Sequence, residues 1–185
     1  MNQRQTAFLD GFERVLEQGL LKICDSAGLT AAQMLECSDA QSMWDIYIKD
    51  YVADAVDNFN DYPCAALGWA AFLGMGVATM WDRDWTAGAA MAYRDYYGEN
   101  GWDDMDEHVM HDLMYLNLEK DEARKLSGTL LSCAQATLDL IRHEGIEAQT
   151  SAGFYVLVRA YGVFFRLGVT IALKRMGYKK IPLSC

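Results

Sequence analysis

Proline occurs only at positions 63 and 182 of the 185-residue chain. The long interval between them holds nothing that removes a backbone N–H, so it favours long helices. No stretch alternates apolar and polar residues, so no strand is expected. No basic, apolar, small-residue leader is visible, and no secretory signal is expected. CxxC pairs are missing as well. The five cysteines, at 24, 37, 64, 133 and 185, are odd in number and irregular in spacing. That pattern predicts free thiols in a reducing cytoplasm rather than a disulfide scaffold or a zinc site. Positive charge is scarce: 16 Lys and Arg stand against 26 Asp and Glu, for a net charge of −10. Such a chain repels phosphate, which argues against nucleic acid as a partner.

What is present is apolar: hydrophobic residues make up 52% of the chain, which suits a folded core and not disorder. The chain is organised around the stretch from Tyr62 to Trp81, which contains no charged residue. Pro63 suits the first position of a helix. Ala66, Ala70, Gly74 and Ala78 then recur every four residues, a narrow strip that lets a second helix approach closely. A helix with no polar face is enclosed by protein or by lipid. Its length would span a bilayer, but it is rich in Ala and Gly, its flanks are acidic, and Arg83 is the nearby base. The central helix of a soluble bundle is therefore preferred, and membrane insertion is not expected.

Around it the periodicity predicts an all-α bundle of about seven or eight helices, a single domain over residues 1–185. The first helix is expected from about Gln3 to Cys24, burying Phe8, Phe12, Val15, Leu16, Leu20 and Ile23, with Gly28 closing it. Thr30 with Gln33, and Ser38 with Gln41, fit capping boxes. They predict a short helix near 31–37 and a longer one near 40–59 that buries Met43, Tyr47, Tyr51, Val52, Ala55 and Phe59. Beyond the central helix at about 63–81, Asp84 can cap a helix that reaches Tyr97. Further helices are expected from about Asp103 to Tyr115, Glu119 to Glu144 and Ser151 to Met176, with Gly145-Ile146 as a stop signal.

Three groups of residues carry candidate chemistry. In the segment 102–112, Asp104, Glu107, His108 and His111 share a helix face and supply carboxylates and imidazoles to a divalent metal. The alternative is a solvated face opposite Met105, Val109, Met110 and Leu113. Asp50, Asp54, Asp57 and Asp61, spaced four, three and four, form a second acidic line suited to magnesium, or again a wet face. Trp81, Trp85, Tyr93, Tyr97 and Trp102 form an aromatic group suited to a ligand cage, to core or to a subunit interface. His111-Asp112 resembles the paired residues of the HD phosphohydrolase family, but no histidine precedes His108 to supply that family's earlier ligand. Asp103-Asp104 with Glu107 is similar to the aspartate-rich motif of terpene synthases, without a second metal motif. The Asp50–Asp61 line loosely resembles the paired-carboxylate helices of all-helical nucleotide pyrophosphatases, which favour glutamate.

Charge is also unevenly placed. Residues 151–185 hold six bases and no acid, leaving −16 on residues 1–150. Arg159 and Arg166, seven residues apart, form one stripe on an otherwise apolar helix. They are expected to meet carboxylates of the acidic body, with Asp82 and Asp84 as the first partners to test. No motif here specifies a reaction. The reading is a soluble, cytoplasmic, non-catalytic interaction domain that self-associates as a homo-oligomer and needs no cofactor. A divalent-metal-dependent hydrolase and a bundle binding a small apolar ligand are the alternatives.

Overall fold

The computed structural model describes residues 3–147 and 150–179. Lys180, Pro182 and Cys185 lie outside the described residues. The fold is an all-α bundle. Its helices are α1 (Gln3–Ser26), α2 (Ser38–Asn58), α3 (Pro63–Arg83), the short α4 (Trp85–Ala90) and α5 (Met105–His108), α6 (Asp121–His143) and α7 (Ser151–Arg175). Seven helices among the described residues fall within the expected number. No strand occurs there, only a single bridge between Gly98 and Gly101.

α3 is the buried axis. Pro63 occupies its first position, and every residue from Ala66 to Ala78 except the half-buried Trp69 is buried. The close neighbour is α7. A Cβ on Gly74 would stand 2.1 Å from the carbonyl oxygen of Phe165, and one on Gly168 would stand 1.9 Å from that of Ala71. Real Cβ atoms do not approach backbone oxygens this closely, so both positions require glycine. α3 and α7 are each long and apolar enough to cross a membrane by length and composition, yet 67% and 83% of their apolar windows are buried inside the bundle.

The remaining helices wrap this pair. α2 turns back along α3, as the Trp81 Nε1 bond to Asp39 at its start shows (3.3 Å), and sends the Tyr51 hydroxyl to the Ala66 carbonyl at 2.7 Å. α1 runs alongside α7 in the same direction. α6 runs against α1, with Cys133 beside Cys24. Lys174, near the end of α7, donates to the carbonyls of Gly28 (2.8 Å) and Thr30 (2.6 Å), which fastens the loop after α1. α1 and α6 stop alike. Gly28 and Gly145 take positive φ, and the following residue donates back across the last turn, Leu29 to Cys24 and Ile146 to Ile141.

Several sequence expectations need correction. No helix forms at 31–37: Thr30 is buried and its hydroxyl bonds the Leu21 carbonyl at 3.4 Å, while Ala32 takes φ 55°, which ends any helix there. Ser38 is not a capping residue. It is the first helical residue of α2, and Cys37 stands at the cap without a side-chain bond. The helix expected through Tyr97 stops at Ala90 and resumes as a 3₁₀ turn over Tyr93–Tyr96. α1 is rotated from its expected setting: Leu9 is buried, whereas Phe8 and Val15 face solvent at 44% and 52% exposure.

Candidate functional site

The segment 98–119 is polar and irregular. A 3₁₀ turn at Trp102–Asp104 leads into α5, which passes into a π-helical turn at Val109–Leu113. Single π turns inside helices are frequent at functional sites. Met105, Val109, Met110 and Leu113 are buried, so the polar residues between them are turned outward. Asp104, Glu107, His108 and His111 border one surface depression together with Glu99, Asn100 and Asp112.

The four candidate ligands share this depression but do not converge. Asp104 turns back to the loop, where its Oδ2 accepts from the Asn100 backbone N–H at 2.9 Å and from its side-chain amide at 2.6 Å. The two imidazoles meet on Asp112 instead. His108 Nδ1 lies 2.8 Å from Asp112 Oδ2, and His111 Nδ1 lies 2.7 Å from Oδ1. The two histidines thus share one carboxylate, whose pKa those two hydrogen bonds lower. Asp112 entered the sequence reading only through the His111-Asp112 pair and not as a candidate ligand, although its i,i+4 spacing to His108 was visible. Asp106, half-buried on the same turn, is pushed up to about 6 by desolvation. Among the described residues no three His, Cys, Asp or Glu side chains converge to hold a metal ion.

The second acidic line divides. Asp50, Asp57 and Asp61 are exposed, while the half-buried Asp54 accepts a hydrogen bond from the Tyr97 hydroxyl. Burial, together with that bond, raises Tyr97 to about 12.

The aromatic candidates fall into separate groups. Trp102 packs on Trp69, whose indole N–H donates to the Trp102 carbonyl at 2.7 Å. Tyr93 and Tyr97 join Tyr47, Tyr51, Tyr96 and Tyr161 in a tyrosine cluster between α2, α7 and the 3₁₀ turn. Within it the hydroxyls of Tyr93, Tyr96 and Tyr161 are buried without a partner, and burial raises the pKa of each. Trp81 packs against Tyr178, and Trp85 begins α4 half-buried. The spacing of aromatics along the chain gave no sign of this partition, because Tyr47, Tyr51 and Tyr161 are distant in sequence from the rest.

Arg159 and Arg166 do meet acids, but not Asp82 or Asp84. Asp82 accepts from the Tyr178 hydroxyl at 2.7 Å, and Asp84 caps α4 by accepting from Ala87 N–H at 3.1 Å. The arginines instead form a ladder with α1. Arg159 reaches Asp10 (3.2 Å) and Glu13 (2.6 Å), and Arg166 reaches Glu13 (2.8 Å) and Glu17 (3.1 Å). Steps of three and four residues on α1 match the step of seven on α7 because the two helices run in parallel.

Near the start of α1 an apolar groove opens beside the start of α7. Phe8 and Leu9, with Ala152 and Tyr155 of α7, line a groove of about 410 Å³ bordered by Arg4. Phe154 and Tyr155 stack edge to face beside it and are 42% and 49% exposed. No protein-family model, no curated protein and no solved structure matches this chain.

Proposed function

We propose that this chain is a soluble, non-catalytic interaction module that associates with a second copy of itself through the apolar flank of α1 and the start of α7. The observation that supports it is the apolar groove beside Phe8 and Tyr155, where exposed rings from two helices, Phe8 on α1 and Phe154 and Tyr155 on α7, stand together. An apolar patch is complementary to itself across a twofold axis, so a second copy satisfies it without any new chemistry. Arg4 borders the groove, while Asp10, less than two turns further along α1, is 58% exposed and keeps part of its carboxylate open beside its contact with Arg159. A twofold pairing can therefore set base against acid while the rings bury each other.

The thiols of Cys24, Cys37, Cys64 and Cys133 are free, which fits a reducing, cytoplasmic setting. The hydrolase alternative has less support, since the histidines are engaged by Asp112 and, among the described residues, no ligand set gathers around them. Analytical ultracentrifugation of the full chain across micromolar concentrations tests the proposal. The expected result is a reversible dimer that Phe8→Glu or Tyr155→Glu converts to monomer with helical content unchanged. A wild-type monomer throughout that range would refute it. Tight binding of an apolar probe in the groove of such a monomer would favour the small-ligand reading.

A further inference from the structure

Cys24 on α1 and Cys133 on α6 stand 109 positions apart in sequence, yet their Sγ atoms lie 3.7 Å apart and both residues are fully buried. Two thiols in van der Waals contact across a helix interface are already paired by the fold. A disulfide requires about 2.05 Å between sulfurs. Side-chain torsion and a small shift of α1 on α6 are the movements that would close the gap. With Cys133 as donor, its S–H favours the thiolate of Cys24 and lowers that pKa. The same bond, with burial, raises the pKa of Cys133. In a contact this short, one sulfur can attack an oxidant while the other stands ready to resolve the product.

We propose that Cys24 and Cys133 are a redox modification site, a dithiol that hydrogen peroxide converts to an intramolecular disulfide tying α1 to α6. In the first step the Cys24 thiolate attacks one peroxide oxygen. An S–O bond forms, the O–O bond breaks, and the departing hydroxide takes up a proton to leave as water. The Cys133 sulfur then attacks the Cys24 sulfenic acid. The S–S bond forms, the S–O bond breaks, and the hydroxide leaves as a second water with the Cys133 proton. Both sulfurs are oxidised by one electron each and the peroxide is reduced by two. Because neither sulfur is exposed, the reaction proceeds at the rate at which the α1–α6 interface opens. The bridge closes a very long loop, so it constrains the unfolded chain more than a short-range bridge would.

The test uses the full chain with Cys37, Cys64 and Cys185 replaced by alanine, checked for native helical content by circular dichroism. Peroxide treatment is followed by intact mass, by alkylation of remaining thiols and by melting temperature. The expected result is loss of about 2 Da, loss of both alkylatable thiols, and a peptide map joining the two cysteines. The melting temperature should rise by on the order of 10 °C and fall back with reductant. Adding Cys133→Ser should abolish the mass loss and leave Cys24 to gain oxygen instead. Two thiols that remain alkylatable after treatment, even in mild urea that speeds opening, would overturn the proposal. So would oxidation of either sulfur to sulfinic acid in place of the bridge.

Discussion

The two sides of α7 meet their neighbours by different physics. Toward α3 the contact is shape alone: glycines at 74 and 168 bring backbone against backbone, and a single methyl at either would stand about 2 Å from a carbonyl oxygen. Toward α1 the contact is charge. Two arginines share three carboxylates, with Glu13 bridging both, at side-chain exposures between 20% and 58%. A close-packed seam has no room to relax, because interiors are as dense as molecular crystals. A ladder at the surface can loosen, admit water and re-form. One helix therefore carries a rigid contact that fixes the axis of the fold and a soft one that holds the outer helix.

The largest effect is expected at the seam. Gly74→Leu should destabilise by about 3 kcal/mol or more, the upper part of the overpacking range, since the obstruction is the Phe165 backbone and not a movable side chain. Chemical denaturation would measure it, and an unchanged midpoint would mean the helices are further apart than described. The ladder should matter less. Arg166→Met removes contacts to Glu13 and Glu17 that are about one-third exposed or less, and should cost about 1 kcal/mol. That loss should shrink in molar salt, whereas the Gly74→Leu loss should not. Pairing Arg166→Met with Glu13→Gln should recover part of it in a double-mutant cycle.

A third effect, no larger than that of the ladder, separates charge from shape outside both faces. Asp106 is held at about 6 in the folded chain, above its ordinary value of 3.8, because burial disfavours its carboxylate. The folded state therefore binds more protons than the unfolded state between those values. Asp106 is neutral and harmless below about pH 4, and stability falls as pH rises through 6. The loss should be about 1 kcal/mol once solvent screening is allowed for. Asp106→Asn should raise the melting temperature at pH 7 and leave it nearly unchanged at pH 4. An equal rise at both pH values would assign the effect to something other than ionisation.

One side of the seam was legible in the sequence, its α7 partner and Gly168 were not, and the ladder was likewise half legible. Ala66, Ala70, Gly74 and Ala78 are small at every fourth position within a charge-free run, a pattern that has few uses besides close approach. The arginine stripe was equally visible, but its partners were not, since nothing local says which helix lies alongside α7. Proximity to the end of α3 suggested Asp82 and Asp84; the parallel course of α1 supplied Asp10, Glu13 and Glu17 instead. α1 itself misled because it has two apolar flanks, one through Leu9, Phe12 and Leu16 and one through Phe8 and Val15. Steps of three and four fit both, and only tertiary contact selects the buried one. The short helix at 31–37 failed for a related reason: a capping box is a local signal, and Thr30 was drawn into the core. In the polar segment the residue types were readable but their convergence was not. The histidines had carboxylates at several helical spacings, and the turn at Val109–Leu113 gave both to Asp112.

The most direct measurement compares the melting temperatures of Gly168→Ala and Arg166→Met with the parent chain at one pH and salt concentration. Alanine gains up to about 1 kcal/mol of helix preference over glycine, so chain entropy alone would raise stability. If the seam is set by backbone contact, Gly168→Ala should nevertheless melt well below Arg166→Met. A Gly168→Ala protein that melts at or above the parent, or above Arg166→Met, would contradict the account.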